Sequence, residues 1–101
     1  MTLNELAATI QSRKTADPES SWTAKLLSQG VEKCAEKFGE ESIEAIIEAV
    51  KGDRERLTSE AADVLYHLLV MLSACDVDLA DVLDVLAKRQ GTSGLVEKAN
   101  R

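Results

Sequence analysis

Four carboxylates at regular spacing are the residues of this sequence best suited to chemistry. Glu41 and Glu44 form one pair three residues apart, and Glu60 and Asp63 form a second. On an α-helix, residues at this spacing share one face, with their Cβ atoms about 5–6 Å apart. Because like charges this close repel, either each pair lies on a solvated acidic face or a cation holds the carboxylates together. For the first pair alone, within the acid-rich run 36–48, the solvated face is the simpler interpretation.

The second pair is harder to explain as surface charge. Asp63 lies in the segment 61–72, whose other side chains are apolar except for Tyr66 and His67. A helix that is apolar nearly all round is buried, so the pattern predicts a buried Asp63. An unpaired carboxylate there carries a desolvation penalty of several kcal/mol. A divalent cation is the simplest partner that offsets this penalty.

Gly52 and Asp53 predict how the two acidic pairs meet. A glycine stop followed by an aspartate N-cap is typical of one helix ending and the next beginning. Residues 41–44 and 60–63 lie at comparable distances on either side of this turn. The pairs can therefore face each other across two antiparallel helices, where four carboxylates match the oxygen ligands that Mg²⁺ prefers.

Glu40 and His67 are candidates for positioning these ligands. Glu40 precedes Glu41, and His67 follows Asp63 by one helical turn on the same stripe. A histidine there can hydrogen-bond a ligating carboxylate; the alternative is a histidine that packs in the core. The single histidine and the absence of Cys-x-x-Cys spacing argue against zinc.

The apolar spacing predicts an all-α antiparallel bundle of four to five helices in one domain, residues 1–101. The expected elements are a short helix over 3–10, a loop over 14–21, a long helix over 23–51, and helices over 53–75 and 79–86. The long helix is kinked at Gly39 or divided there into two nearly collinear helices, and its side opposite the acidic pair is expected to be buried. A flexible polar tail is expected from about residue 90.

Composition narrows the class of protein. The 101 residues carry a net charge of -6, and 45% are apolar but only 3% aromatic, which favours helices over a β-sandwich. The acidic balance argues against nucleic acid or an anionic membrane as a partner. No apolar run approaches about 18 residues, and no signal-peptide pattern opens the chain. With Cys34 and Cys75 expected to be buried free thiols, a soluble cytoplasmic protein is expected.

Glu41-x-x-Glu44 followed by Glu60-x-x-Asp63 resembles the paired acidic motif of the all-α, MazG-type nucleotide pyrophosphohydrolases. Three stretches narrow the resemblance to the phosphoribosyl-ATP pyrophosphohydrolase family of histidine biosynthesis: SWTAKLL at 21–27, KFGEE at 37–41 and SEAADVLYHLL at 59–69. The similarity covers essentially the whole chain. Trp22 stands where tyrosine is expected, a departure that we expect to affect packing rather than chemistry.

This resemblance implies Mg²⁺-dependent hydrolysis of 1-(5-phosphoribosyl)-ATP to 1-(5-phosphoribosyl)-AMP and pyrophosphate. The metal ligands and catalytic groups would be Glu41, Glu44, Glu60 and Asp63. Because both substrate and protein are anionic, local cations must help binding; the candidates are Lys25, Lys33, Lys37 and Arg89. Two alternatives stay open: a house-cleaning pyrophosphatase of the same superfamily that acts on other nucleoside triphosphates, and a non-catalytic helical domain whose acidic face binds a basic partner.

A homodimer is also expected. The segment 61–72 leaves little of its helix fit to face water, and the rest of the chain has few large side chains to cover it. A four-helix core built from the long helices of two subunits would bury that surface. The resemblance points the same way, since relatives are oligomeric and build the substrate pocket near the subunit interface.

Overall fold

The computed structural model describes residues 1–90, which contain five α-helices. They are α1 (Leu3–Ser12), α2 (Trp22–Ser28), α3 (Val31–Lys51), α4 (Arg54–Ala74) and α5 (Leu79–Arg89). A 3-10 turn follows α1, and these 90 residues contain no β-strand, so the predicted all-α class is confirmed. None of these helices has both the length and the apolar character needed to cross a bilayer. Nearly all of the predicted polar tail lies outside the described residues.

Polar side chains determine where the first two helices begin. The Thr2 hydroxyl accepts a hydrogen bond from the Glu5 N–H at 3.1 Å, and the Glu5 carboxylate accepts one from the Thr2 N–H at 3.3 Å. This reciprocal capping box satisfies amides that have no partner within the helix. At α2, the Ser21 hydroxyl accepts from the Ala24 N–H at 3.1 Å. The loop over 14–21 therefore ends at a helix cap.

A tight turn at Gly52 and Asp53 folds α4 back along α3. Gly52 has φ of 77°, a left-handed conformation that glycine adopts without a Cβ clash. Asp53 caps α4, since its carboxylate accepts from the Arg56 N–H at 3.0 Å. The predicted stop and N-cap are thus confirmed. α3 and α4 make the most extensive helix–helix contact of the described chain.

The prediction of one long helix over 23–51 is wrong at its N-terminal end. α2 ends at Ser28, α3 begins at Val31, and Gly30 between them has φ of 94°. Gly39, where the sequence pattern predicts a kink or a break, lies within α3. Both α2 and α3 carry apolar residues at helical spacing. The periodicity therefore continues across Gly30 and does not reveal the break.

The core joins α1, α2 and the start of α3 to the C-terminal half of α4. Its buried members are Ile10, Leu26, Cys34, Leu69 and Val70. The Cys34 thiol donates to the Leu26 carbonyl at 3.4 Å, which ties α3 to α2. Cys75 is exposed at the C-terminal cap of α4. The expectation of two buried thiols is therefore correct for Cys34 and wrong for Cys75.

The second half of α3 exposes apolar side chains that the sequence pattern predicts to be buried. Ile43, Ile46 and Val50 are 60%, 61% and 84% exposed. α3 directs its acidic face, with Glu41, toward α4, so these three side chains on the other side remain open in the single chain. The helical pattern shows that these residues share a face, but it does not show whether another element covers that face. Only the tertiary structure decides this.

Candidate metal centre

The antiparallel pairing of α3 and α4 brings three of the four predicted carboxylates together. Glu41, Glu60 and Asp63 each offer an oxygen, and these oxygens all lie within 4.8 Å of one another. Glu41 comes from the middle of α3, and the other two come from the first half of α4 at i, i+3 spacing. Their meeting follows from the turn at Gly52, which returns the chain to the same level.

Glu44 completes the acidic cluster from the next turn of α3, although its carboxylate is outside the group of three. The charge of its carboxylate acts on both Glu41 and Glu60. We use the term acidic cluster for Glu41, Glu44, Glu60 and Asp63. Four carboxylates this close cannot all be ionised without a large repulsion unless a cation lies among them.

The pKa values of the cluster report this repulsion. Burial raises the pKa of Glu60 from its ordinary 4.5 to about 7, and the hydrogen bonds and charges of Glu44 and Glu41 add to the effect. Burial also raises the pKa of Glu41, with further contributions from the charges of Glu44 and Asp63 and an opposing hydrogen bond from Glu60. Without a cation, the cluster therefore retains a proton near neutral pH.

One oxygen of the cluster is free to bind a cation. Glu60 Oε2 is buried and has no hydrogen-bond partner among residues 1–90. A buried acceptor in this state is costly unless a proton or a cation occupies its lone pairs. The donor set contains only carboxylate oxygens, the ligands of hard divalent cations such as Mg²⁺, Mn²⁺ or Ca²⁺. The residues present therefore suit a divalent metal of this class.

Asp63 is exposed in the single chain, which corrects the prediction that it is buried. Its neighbours Ala61 and Ala62 are exposed too, and Leu65 is 44% exposed. Only the C-terminal part of the segment 61–72 is therefore buried. There α1 and α2 pack against α4. The desolvation argument applies instead to Glu60, the less exposed carboxylate of the pair.

His67 is buried one turn after Asp63, as predicted. Its ring packs edge-on against Tyr66, with centroids 4.9 Å apart. Burial lowers the pKa of His67, and the negative charge of Asp63 opposes this effect. Its Nδ1 is buried and has no hydrogen-bond partner among residues 1–90. A neutral imidazole next to the acidic cluster follows from this environment.

Two of the predicted basic candidates form ion pairs on the surface of α3. Lys33 forms an ion pair with Glu36 at 3.5 Å, and Lys37 forms one with Glu40 at 3.3 Å. Glu40, the partner of Lys37, lies on the exposed surface of α3. The two remaining candidates are Lys25, which lies on α2, and Arg89, which ends α5.

Two neighbours of the cluster were not singled out from the sequence. Glu48, four residues after Glu44, has a side chain only 12% exposed, and its Oε2 is buried without a hydrogen-bond partner among residues 1–90. The Tyr66 hydroxyl lies 2.5 Å from the Thr23 hydroxyl on α2. The i, i+4 spacing of Glu48 is a sequence signal that could have identified it, whereas the contact of Tyr66 is purely tertiary.

Comparison with known proteins agrees with this geometry. The family model for phosphoribosyl-ATP pyrophosphohydrolase matches residues 3–90. A phosphoribosyl-ATP pyrophosphatase of Roseobacter denitrificans is 75% identical over 101 residues, which cover 100% of this chain and 96% of the relative. Another, from a Jannaschia species, is 74% identical over 99 residues, covering 98% of this chain and 97% of the relative. On the extent of these matches, the chain belongs to the phosphoribosyl-ATP pyrophosphohydrolase family.

Proposed function

We propose that this protein hydrolyses 1-(5-phosphoribosyl)-ATP to 1-(5-phosphoribosyl)-AMP and pyrophosphate, an early step of histidine biosynthesis. The observation that carries the proposal is the acidic cluster, three of whose carboxylate oxygens lie within 4.8 Å of one another. The activity named for relatives 75% and 74% identical to the chain supports the same substrate.

We propose that Mg²⁺ is the resident metal and that Glu41, Glu44, Glu60 and Asp63 hold it. The all-oxygen donor set and the unsatisfied Glu60 Oε2 support this assignment. When bound, Mg²⁺ would neutralise charge on the phosphates and orient the attacking water. Burial lowers the pKa of His67, which favours a neutral imidazole beside these carboxylates.

Water is the nucleophile in this proposal. The cluster offers no hydroxyl, thiol or amine nucleophile, and in this proposal its carboxylates hold the metal. One of its carboxylates accepts a proton from the attacking water, as a positioned general base does. The bond between the α and β phosphates breaks, and the pyrophosphate leaves with its charge compensated. Basic side chains outside the cluster orient the rest of the substrate.

A substrate panel tests this function. The wild-type chain is assayed for pyrophosphate release from phosphoribosyl-ATP, ATP, dCTP and dUTP, each with Mg²⁺ and each with a chelator. We expect release only with Mg²⁺ and with phosphoribosyl-ATP as the strongly preferred substrate. Equal turnover of the four compounds would identify a house-cleaning pyrophosphatase, and no release from any would favour the non-catalytic acidic domain.

We also propose that the protein is a homodimer. The exposed face of α3 with Ile43, Ile46 and Val50 is continuous apolar surface at helical spacing, and Leu86 of α5 is 51% exposed as well. Monomeric proteins rarely leave large contiguous patches of this kind in water. Pairing α3 and α4 with their copies in a four-helix core would cover this face.

Light scattering tests the dimer. We expect about twice the 11.0 kDa mass of one chain. Ile46→Glu should shift the protein to the monomer, because an unpaired charge in an apolar interface is costly. Thr9→Glu, which adds the same charge to an exposed position of α1, is the matched control. A wild-type monomer at assay concentration would contradict the proposal.

A further inference from the structure

The last helix, α5, has an apolar face that no other helix of residues 1–90 covers. The face consists of Leu79, Val82, Leu83 and Leu86, at the i, i+3, i+4, i+7 spacing of one helical stripe. Leu79 packs against the core, but α5 makes no extensive contact with another helix, and Leu83 and Leu86 are exposed. The structure has a radius of gyration of 15.6 Å, against about 13 Å for a compact domain of this length. We call this face the α5 stripe; it has no partner within the described chain.

The outer side of α3 has a second uncovered stripe with the same spacing. The α3 stripe consists of Ile43, Ile46, Ile47 and Val50, all of them exposed. Each stripe extends over about 10 Å of helix from its first to its last residue, at 1.5 Å per residue. Exposed apolar surface of this extent marks an interaction site. The two stripes therefore match each other in length and in apolar pattern.

The α5 stripe cannot reach the α3 stripe of its own chain. Leu79 is held at the core, which also contains Cys34 near the start of α3. Ile43 and Val50 lie about 14 and 24 Å further along α3 than Cys34 does. Leu86 lies only about 10 Å from Leu79 along α5. The α5 that fits this face of α3 is therefore that of a second copy of the chain.

Charges at the ends of the two helices favour an antiparallel arrangement. Glu40 precedes the α3 stripe, and Lys51 follows it. Asp78 precedes the α5 stripe, and Lys88 and Arg89 follow it. Antiparallel packing puts the acidic end of each helix beside the basic end of the other and also opposes the two helix dipoles. Parallel packing would bring like charges together at both ends.

We propose that two copies of the chain exchange their α5 helices, each packing antiparallel along the α3 stripe of the other. The inference rests on the homodimer proposed above and names the element that each subunit contributes to its partner. A two-fold axis makes the two contacts identical, so one pair of complementary stripes closes the assembly at two chains. The exchanged helices extend the four-helix core of α3 and α4 on the side of the α3 stripe. Both stripes leave water on assembly, which stabilises the dimer.

Sedimentation equilibrium of the full chain tests the exchange. Leu86→Glu should raise the dissociation constant of the dimer about a hundredfold or more, because the buried charge enters both symmetric contacts. This side chain is about half exposed in the single chain, so circular dichroism should stay unchanged. Val85→Glu is the matched control, since it replaces an equally exposed apolar residue of α5 outside the stripe and should have far less effect. Equal dimerisation of Leu86→Glu and wild type would overturn the exchange and leave the homodimer standing, whereas a wild-type monomer would overturn both.

Disulfide trapping tests the direction of packing. The exposed Cys75 is first replaced by serine. In that background, Ile43→Cys combined with Leu86→Cys should oxidise to a covalent dimer, because antiparallel packing places these two positions at the same level. Val50→Cys combined with Leu86→Cys is the matched pair that parallel packing would join, and it should yield no more dimer than each single variant does. A covalent dimer from the second pair alone would overturn the antiparallel arrangement, and an internally cross-linked monomer from the first pair would overturn the exchange.

Discussion

The hydroxyl of Tyr66 lies 2.5 Å from the hydroxyl of Thr23, and this contact connects α4 to α2 across 43 residues of chain. Both groups are partly buried, and either can be the donor. α4 carries Glu60 and Asp63, so the bond attaches α2 to the helix that bears half of the acidic cluster. Because helix continuity is lost at Gly30, the orientation of α2 depends on its core contacts and on this hydroxyl contact.

A double-mutant cycle measures this link. Tyr66→Phe and Thr23→Val each remove one hydroxyl, and we expect a coupling free energy of about 1 kcal/mol between them, the usual size for a hydrogen bond of this kind. Urea unfolding of the two single variants and the double variant provides the value. Tyr66→Phe combined with Thr58→Val, two turns away on α4, should be additive. Additivity in the Thr23 cycle as well would show that the contact contributes nothing to stability.

Asp63→Asn should lower turnover by roughly two orders of magnitude or more, the scale of a lost electrostatic contribution in an active site. The side chain is exposed, so helicity and melting temperature should change little. Pyrophosphate release and circular dichroism are the two measurements. Glu55→Gln, an exposed acid in the first turn of α4 outside the cluster, should keep full activity. Full activity of Asp63→Asn at low Mg²⁺ would refute the assignment of this ligand.

Mg²⁺ should raise the melting temperature of the wild-type chain, because a cation that binds only the folded cluster shifts the unfolding equilibrium. The double change Glu41→Gln and Glu60→Gln removes like charges that repel in the metal-free protein. We expect it to raise the metal-free melting temperature and to abolish the response to Mg²⁺. Thermal scans with and without chelator make the comparison. A wild-type scan that does not respond to Mg²⁺ would argue against a preformed cluster.

Glu60 should contribute stability to the metal-free protein that is lost as the pH rises from about 4.5 to about 7. The pKa of Glu60 is about 7 in the folded chain against an ordinary 4.5, so the folded state binds its proton more tightly than the unfolded state does. This contribution is complete below pH 4.5 and is lost as the pH passes the folded-state value. Affinity for Mg²⁺ should rise over the same interval, because the metal displaces that proton.

Melting curves in chelator at several pH values test this dependence through the difference between wild type and Glu60→Gln. The subtraction is needed because the lowered pKa of His67 acts in the opposite direction, with stability lost as the pH falls. Glu55→Gln should keep the wild-type slope. Parallel curves for wild type and Glu60→Gln would show that Glu60 titrates normally.

Local sequence determined the helices, their turn and the pairing of the acids. The i, i+3 spacing of Glu60 and Asp63 puts both on one face of any helix they occupy. The Gly52 and Asp53 pair needs only its own backbone conformation and one capping hydrogen bond to reverse the chain. Because these features act over a few residues, the meeting of α3 and α4 follows from the order of the amino acids alone.

Burial and long-range contacts were decided only by the tertiary structure. The apolar pattern of 61–72 does not reveal that α1 and α2 cover just its C-terminal part, so Asp63 is exposed and Glu60 carries the raised pKa. The break at Gly30 is hidden because helical periodicity continues across it. Trp22 lines a surface cavity together with Pro18 of the preceding loop, which the spacing along α2 does not show. Each of these depends on which surfaces come together in space, and the spacing of residues along one helix does not contain that information.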